Sequence, residues 1–199
     1  MSWFESRTAF DYDRLVIGFH GTCRTASVKL VDGVPFAPSE NDDDWLGHGI
    51  YFWEYAHQRA WRWAIDKYGD SAAVVGALIR LGCIDFLDPD NVELLATAND
   101  DLERMLSAVG QQLRGNANNH KFRDCALINY LCETLARDNS ETDSVRSVFV
   151  PHKNSKLQRI WPRSGIFRDS HIQIAVRDPS NILAVWPMRK DGHYGRDQK

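Results

Sequence analysis

The chain predicts a mixed α+β sheet domain, and three observations carry that reading. Apolar runs with strand character stand at both ends of the sequence, and runs with helical spacing fill its middle. The two kinds do not alternate in the regular manner of a wound parallel sheet, which sets the class apart from α/β.

The first run, "RLVIGFHGT" (14–22), is an apolar strand ending in a glycine-flanked polar cluster. "ASVKLVDGVPF" (26–36) follows as a second element, closed by a turn at Asp32-Gly33. "APSENDDDWLGHG" (37–49) reads as an exposed acidic loop, and "IYFWE" (50–54) as a short aromatic strand. From Tyr55 to Tyr68 the spacing is helical, with Ala56, Ala60, Trp63 and Ala64 on one side and Gly69 as the stop. "AAVVGALIRLGCIDFLD" (72–88) supplies one buried strand and a second after Gly82.

The middle then changes character. "NVELLATANDDLERMLSAVGQQL" (91–113) and "FRDCALINYLCETLAR" (122–137) both repeat apolar residues at helical intervals, which predicts a helical insert over residues 91–140. "DSVRSVFVP", "SHIQIAVRD" and "NILAVWPM" return to strand pattern, and residues 189–199 form a polar tail expected to fray. The 199 residues suit one domain, able to bury a core without disulfide or metal support.

Composition narrows the function classes. The longest apolar run is too short for a membrane span and the first residues lack an apolar signal core, so a cytoplasmic protein with no membrane partner is expected. Cys23, Cys83, Cys125 and Cys132 show neither CxxC pairing nor clustered histidines; reduced buried thiols and no metal are expected. The net charge of -3 argues against bulk attraction to nucleic acid. Charge is nevertheless uneven: residues 31–60 carry six acids against Arg59, whereas residues 151–190 carry eight Lys and Arg against Asp169 and Asp178. Such a basic segment suits a pyrophosphate or an RNA backbone, or simply a solvated face.

Two motifs carry the chemistry, "GFHGT" (18–22) and "GHGIYFWE" (47–54). His20 at a strand end can hold a ribose hydroxyl, and Gly21, lacking a side chain, leaves its N–H and C=O open to a carboxamide. A lone strand-end histidine can equally be structural, bonded to main chain. Tyr51 follows two glycines and offers a flat ring for stacking on a heterocycle, an interaction worth about 1–3 kcal/mol on protein aromatics.

"FHGTCRT", then "LGHGIYFWEYAHQRAWRWA", then "VVGALIRLGCIDFL" resembles, in that order, the catalytic domain of ADP-ribosyltransferases of the diphtheria-toxin and poly(ADP-ribose) polymerase type. The likeness covers about the first ninety residues and the last thirty; the helical insert has no counterpart. The resemblance implies a split β-sheet core, with NAD as substrate in a cleft between two small sheets. It places His20, Gly21 and Thr22 of the HG[ST] motif on NAD, His20 at the adenosine-side ribose and Gly21 at the nicotinamide amide, with Tyr51 against the nicotinamide ring. Family members often supply a second aromatic eleven residues after that Tyr; here the position is Arg62, with Tyr55, Trp61 or Trp63 as substitutes.

The family's catalytic Glu, five residues before an Asp on a late strand, maps through Asp178 onto Gln173. Alternation puts His171, Gln173, Ala175 and Arg177 on one face of that strand and Ile172, Ile174 and Val176 on the other. Gln173 can hold a ribose hydroxyl but can neither offset an oxocarbenium charge nor take a proton. Asp124 is a candidate for a borrowed carboxylate, set on a helical stripe with Ile128, Leu131 and Leu135 and with Arg146, itself also expected to hold NAD, as a possible partner; equally it is a first-turn acid favouring the helix dipole. Glu54 and Asp169 are weaker candidates.

Together these readings imply a mono-ADP-ribosyltransferase of bacterial toxin or phage-defence type, acting on RNA or protein and controlled by an antitoxin or other regulatory protein. Gln173 keeps two alternatives open: a binding module for NAD or ADP-ribose without turnover, and an NAD glycohydrolase.

Overall fold

Alternating apolar side chains build a sheet whose two faces have different work. The computed structural model describes residues 14–117, 120–137, 142–150 and 159–190. Strand β1 (Leu15–Cys23) leads into helix α1 (Arg24–Val31), then strand β2 (Ile50–Glu54) and helix α2 (His57–Tyr68). Strands β3 (Ala72–Arg80) and β4 (Ile84–Asp85) precede helices α3 (Pro89–Ala108) and α4 (Phe122–Arg137). Strands β5 (Ser144–Phe149), β6 (His171–Val176) and β7 (Ile182–Met188) complete the described elements.

The architecture is α+β: four α-helices against one open, mixed sheet of seven strands, in the order β4-β5-β6-β2-β1-β3-β7. Only β4 and β5 pair in parallel; every other neighbour pair is antiparallel. The expected pair of small sheets is therefore one continuous sheet, but with a narrow waist. β1 pairs β3 along its whole length, Leu15↔Arg80 to Cys23↔Ala72, whereas its register with β2 holds only at Gly18↔Glu54 and Phe19↔Trp53.

On one face, Ile50 and Phe52 of β2 close a core with Val16, Ala77, Ile79, Ile174 and Val176. Each such large side chain contributes about 1.5–3 kcal/mol by leaving water. On the other face, Trp53 and Phe19 pack under Ala60 and Ala64 of α2, while Val145 and Ala175 pack under Ile128, Leu131 and Leu135 of α4. Alanines at the contact let α2 lie close to the sheet. β7 carries Pro187 without losing a ladder bond on its outer side because it is an edge strand.

The expected helical insert is α3 and α4, beginning slightly earlier than its periodicity suggested. Asp88 caps α3 by accepting from the Asp90 amide at 3.0 Å, and Pro89 occupies the first turn, where a missing N–H is harmless. The element after the first strand is the helix α1, not a strand. Of the expected polar tail, residues 191–199 lie outside the described residues. No described helix is long and apolar enough to cross a membrane. Cys125 and Cys132 are buried, Cys23 and Cys83 half-buried.

One ionic cluster ties together the half of the sheet that holds β2, β4 and β5. Arg146 of β5 donates to both oxygens of Glu54 on β2 at 2.6 and 2.9 Å, and to Asp85 of β4 at 3.0 and 3.2 Å. Glu54 and Asp85 side chains are only 8% and 7% exposed, so removing one leaves charge stranded out of water. Glu54→Ala is expected to destabilise the fold by about 3 kcal/mol, read as a lowered urea midpoint; an unchanged midpoint contradicts this role for the cluster.

Candidate functional site

The waist between β1 and β2 creates the site, because a ladder that should continue there does not. The Tyr55 amide donates to the Ile17 carbonyl at 3.0 Å, which makes odd-numbered residues of β1 present their main-chain groups toward β2. Extending the register sets Gly21 opposite Tyr51, yet pairing stops at Phe19↔Trp53. The Tyr51 carbonyl, the natural acceptor for the Gly21 amide, instead accepts from His20 Nδ1 at 2.9 Å. The Gly21 N–H and C=O point toward β2 beyond the last paired register, at a buried position.

That single bond also sets the histidine's protonation. A carbonyl can only accept, so Nδ1 carries the proton and Nε2 presents a lone pair. Phe36 and Phe52 flank the ring, with centroids at 5.3 and 5.6 Å. Burial lowers the His20 pKa, more than the Tyr51 carbonyl raises it, and holds the imidazole neutral.

Gly21 has a second reason to be glycine. A Cβ there would come within 2.7 Å of the Ala60 carbonyl and 2.9 Å of Trp63 Cε3. The glycine thus lets α2 press on the strand and brings Trp63 beside the gap. Trp63 in turn packs on Trp53, with ring centroids at 5.8 Å. Of the expected substitutes for a second aromatic wall, Trp63 is the one in this position. Trp61 belongs to the apolar cluster under α2, whereas Tyr55 and Arg62 are exposed at the helix's leading end.

Tyr51 is held at both ends. Its hydroxyl donates to the Gly47 carbonyl at 2.8 Å and accepts from the Leu46 amide at 3.0 Å. Burial raises its pKa far above the ordinary phenol value, so it stays protonated. The loop that supplies these partners is itself braced: Asn129 of α4 accepts from the His48 amide and from Arg177, both at 2.9 Å. Gly47 at φ +74° adopts a left-handed conformation in which a side chain would also strike Asn129.

Gln173 lies on the same face as Tyr51 and Trp53, in register with Trp53. Its oxygen accepts from the Trp45 indole at 2.6 Å, which turns its amide nitrogen toward His171 Nε2 at 3.2 Å. Nε2 must then be the acceptor, and Nδ1 carries the proton that it donates to the Asp169 carbonyl at 2.7 Å. Burial lowers the His171 pKa, with the Arg59 charge adding to it against the raising effect of Asp169. Trp45, Phe149 and His171 stack around this chain. His171 and Trp45 are the residues that sequence reasoning passed over. The strand alternation had set His171 on Gln173's face; nothing local marked Trp45, 128 positions away.

Several expected residues are engaged elsewhere. Arg146 is not a partner for Asp124, because its guanidinium is occupied by Glu54 and Asp85, and the same pairing removes it as a free hold for NAD. Asp124 sits in the first turn of α4 and accepts from Asn116 at 2.7 Å, the helix-dipole arrangement; no described contact joins it to Gln173 or Tyr51. Glu54 ends β2 in the ionic cluster instead of opening α2. Asp169 pairs with Arg59 at 2.7 Å, and Thr22 is buried at 5% exposure.

Fold and site together define an α+β protein whose mixed seven-stranded sheet narrows between β1 and β2. The chain is 39% identical over 190 residues to the uncharacterized protein MJ0359 of Methanocaldococcus jannaschii, covering 86% of each chain, and it belongs to the family of that protein. No family model matches the chain, and no solved structure does.

The two neutral histidines make stability pH-dependent with a definite sign. Their folded pKa lies below the unfolded value of 6.5, so the unfolded chain binds more protons and stability is lost as pH falls through 6.5. The melting temperature is expected to decline from pH 7.5 to 5.5, and His20→Gln to flatten the decline. An equal slope in that variant contradicts burial of His20 as the cause.

Proposed function

We propose that the chain is a mono-ADP-ribosyltransferase that uses NAD as its substrate in the gap between β1 and β2. The observation that carries this is the missing Gly21–Tyr51 rung, with the Tyr51 carbonyl taken by His20. It leaves one N–H and one C=O side by side on Gly21, the complement of a carboxamide such as that of nicotinamide. His20 Nε2 accepts from a ribose hydroxyl, and the Tyr51 ring with Trp63 supplies the aromatic walls. On this reading the narrow waist is the split of an ADP-ribosyltransferase-like sheet. A cytoplasmic toxin or defence effector, held in check by an antitoxin or other regulatory protein, is the setting that the motif likeness supports.

In the reaction the bond between ribose C1′ and the nicotinamide nitrogen breaks, and its electron pair leaves with nicotinamide. The acceptor's nucleophile then bonds to C1′ and gives up a proton. Gln173 cannot take that proton, and no described carboxylate contacts it. His171 can, once the Gln173 amide turns from it to the sugar: it is neutral, its Nε2 lone pair is then free and its other nitrogen is anchored. Gln173 orients the sugar in place of a carboxylate.

Incubation with NAD and a cell extract is expected to release free nicotinamide and label a macromolecule. His20→Ala should lower that release by about 10²-fold, in line with loss of a positioning hydrogen bond. His171→Ala should lower transfer by about 10²-fold or more while leaving the NAD-induced rise in melting temperature. The wild-type rate should fall as pH drops below 6.5, where His171 takes up a proton. Nicotinamide release without acceptor labelling would make the chain a glycohydrolase, and NAD binding without release would make it a binding module. No response to NAD of either kind contradicts the reading altogether.

A further inference from the structure

A cleft of about 280 Å³ lies at the leading end of α2, lined by Tyr55, Ala56, His57, Gln58, Arg59, Arg62 and Arg168. Three arginines and no acid line it, in a chain whose net charge is -3. Arg59 is fixed across it by Asp169 at 2.7 Å and by the Arg168 carbonyl at 3.2 Å. Arg62 and Arg168 make no ion pair among the described residues, and both are exposed. Their charge is therefore available to a partner.

Two features fit that partner to a phosphate on a nucleic acid. Tyr55 is 63% exposed at the rim, a stacking platform for a base, held at φ +48° where the chain leaves β2 for α2. The α2 N-terminus carries no acid in its first turn and no side-chain cap, so its free amides add to the arginines' attraction. Guanidiniums read phosphate oxygens through paired N–H groups, which a lysine-coated solvated face does not offer.

The cleft also stands where an acceptor is needed. β2 and β6 run antiparallel with Trp53 opposite Gln173, so β2's exit at Tyr55 passes alongside His171. Arg59, Asp169, His171 and Gln173 form one hydrogen-bonded chain from the cleft to the waist.

We propose that this cleft docks a backbone phosphate of a single-stranded nucleic acid, with Tyr55 stacking on a neighbouring base, and so presents the acceptor to His171. This rests on the transferase reading for its purpose but not for its test, which needs no NAD. Anisotropy of a fluorescein-labelled single-stranded RNA 12-mer is expected to report binding to the full chain, weakening with salt by about 0.7 log units per log unit of salt for each phosphate held. Arg168→Glu and Tyr55→Ala should each raise Kd at least tenfold without altering the melting temperature. Lys29→Glu, a charge reversal of equal size on exposed α1, should change it less than twofold. Absence of RNA binding overturns the proposal, as does equal weakening by Arg168→Glu and Lys29→Glu with none by Tyr55→Ala, which would mean general charge attraction; a protein acceptor would then be indicated. The melting-temperature rise with NAD, measured separately, tells a failure here from a failure of the transferase reading.

Discussion

Everything at the site depends on β1 and β2 ceasing to pair after Phe19 and Trp53. A sheet normally satisfies every interior main-chain group, and an unpaired one away from water costs about 1–3 kcal/mol. Here the cost is limited by His20, which reaches across and takes the Tyr51 carbonyl. The imidazole does for Tyr51 what the Gly21 amide would have done, and Gly21 is released. The Gly21 main-chain pair then lies beyond the β1–β2 ladder at the centre of the sheet, buried and without a loop to hold it.

The remaining structure keeps that gap from closing. On one side α2 presses on Gly21 through Ala60 and Trp63, at a distance that permits no side chain. On the other side Tyr51 is anchored by its hydroxyl to Gly47 and Leu46, a loop that α4 braces through Asn129. Behind the sheet, the Arg146 cluster joins β2 to β4 and β5, so that the strand forming one lip of the gap cannot drift. The helical insert braces the loop before Tyr51 through Asn129, and Asp124 takes no part in that contact.

Much of this was legible in residue pattern, and the division follows range. Local signals placed the strands, α2 with its Gly69 stop, and α3 and α4, because periodicity and glycine are properties of neighbouring residues. The HGT and GHGIYF motifs are each contiguous, and the structure sets them on the neighbouring strands β1 and β2. What escaped was pairing between distant segments: Arg146 with Glu54 over 92 positions, Trp45 with Gln173 over 128. A buried charge announces that it needs a partner but not which one, and so Asp124 and Arg146 looked mutually suited. Gln173 reads as a loss in isolation; beside His171 it becomes half of a hydrogen-bonded pair with a proton acceptor in it.

The most direct measurement is at Gly21 itself. In protein labelled with ¹⁵N at glycine, the Gly21 amide is expected to shift on titration with nicotinamide or NAD and to exchange with deuterium more slowly once ligand is bound. In the ligand-free protein the same amide should exchange faster than that of Gly76, which lies in the middle of fully paired β3. A Gly21 amide already protected without ligand, or one indifferent to saturating NAD, would contradict the account.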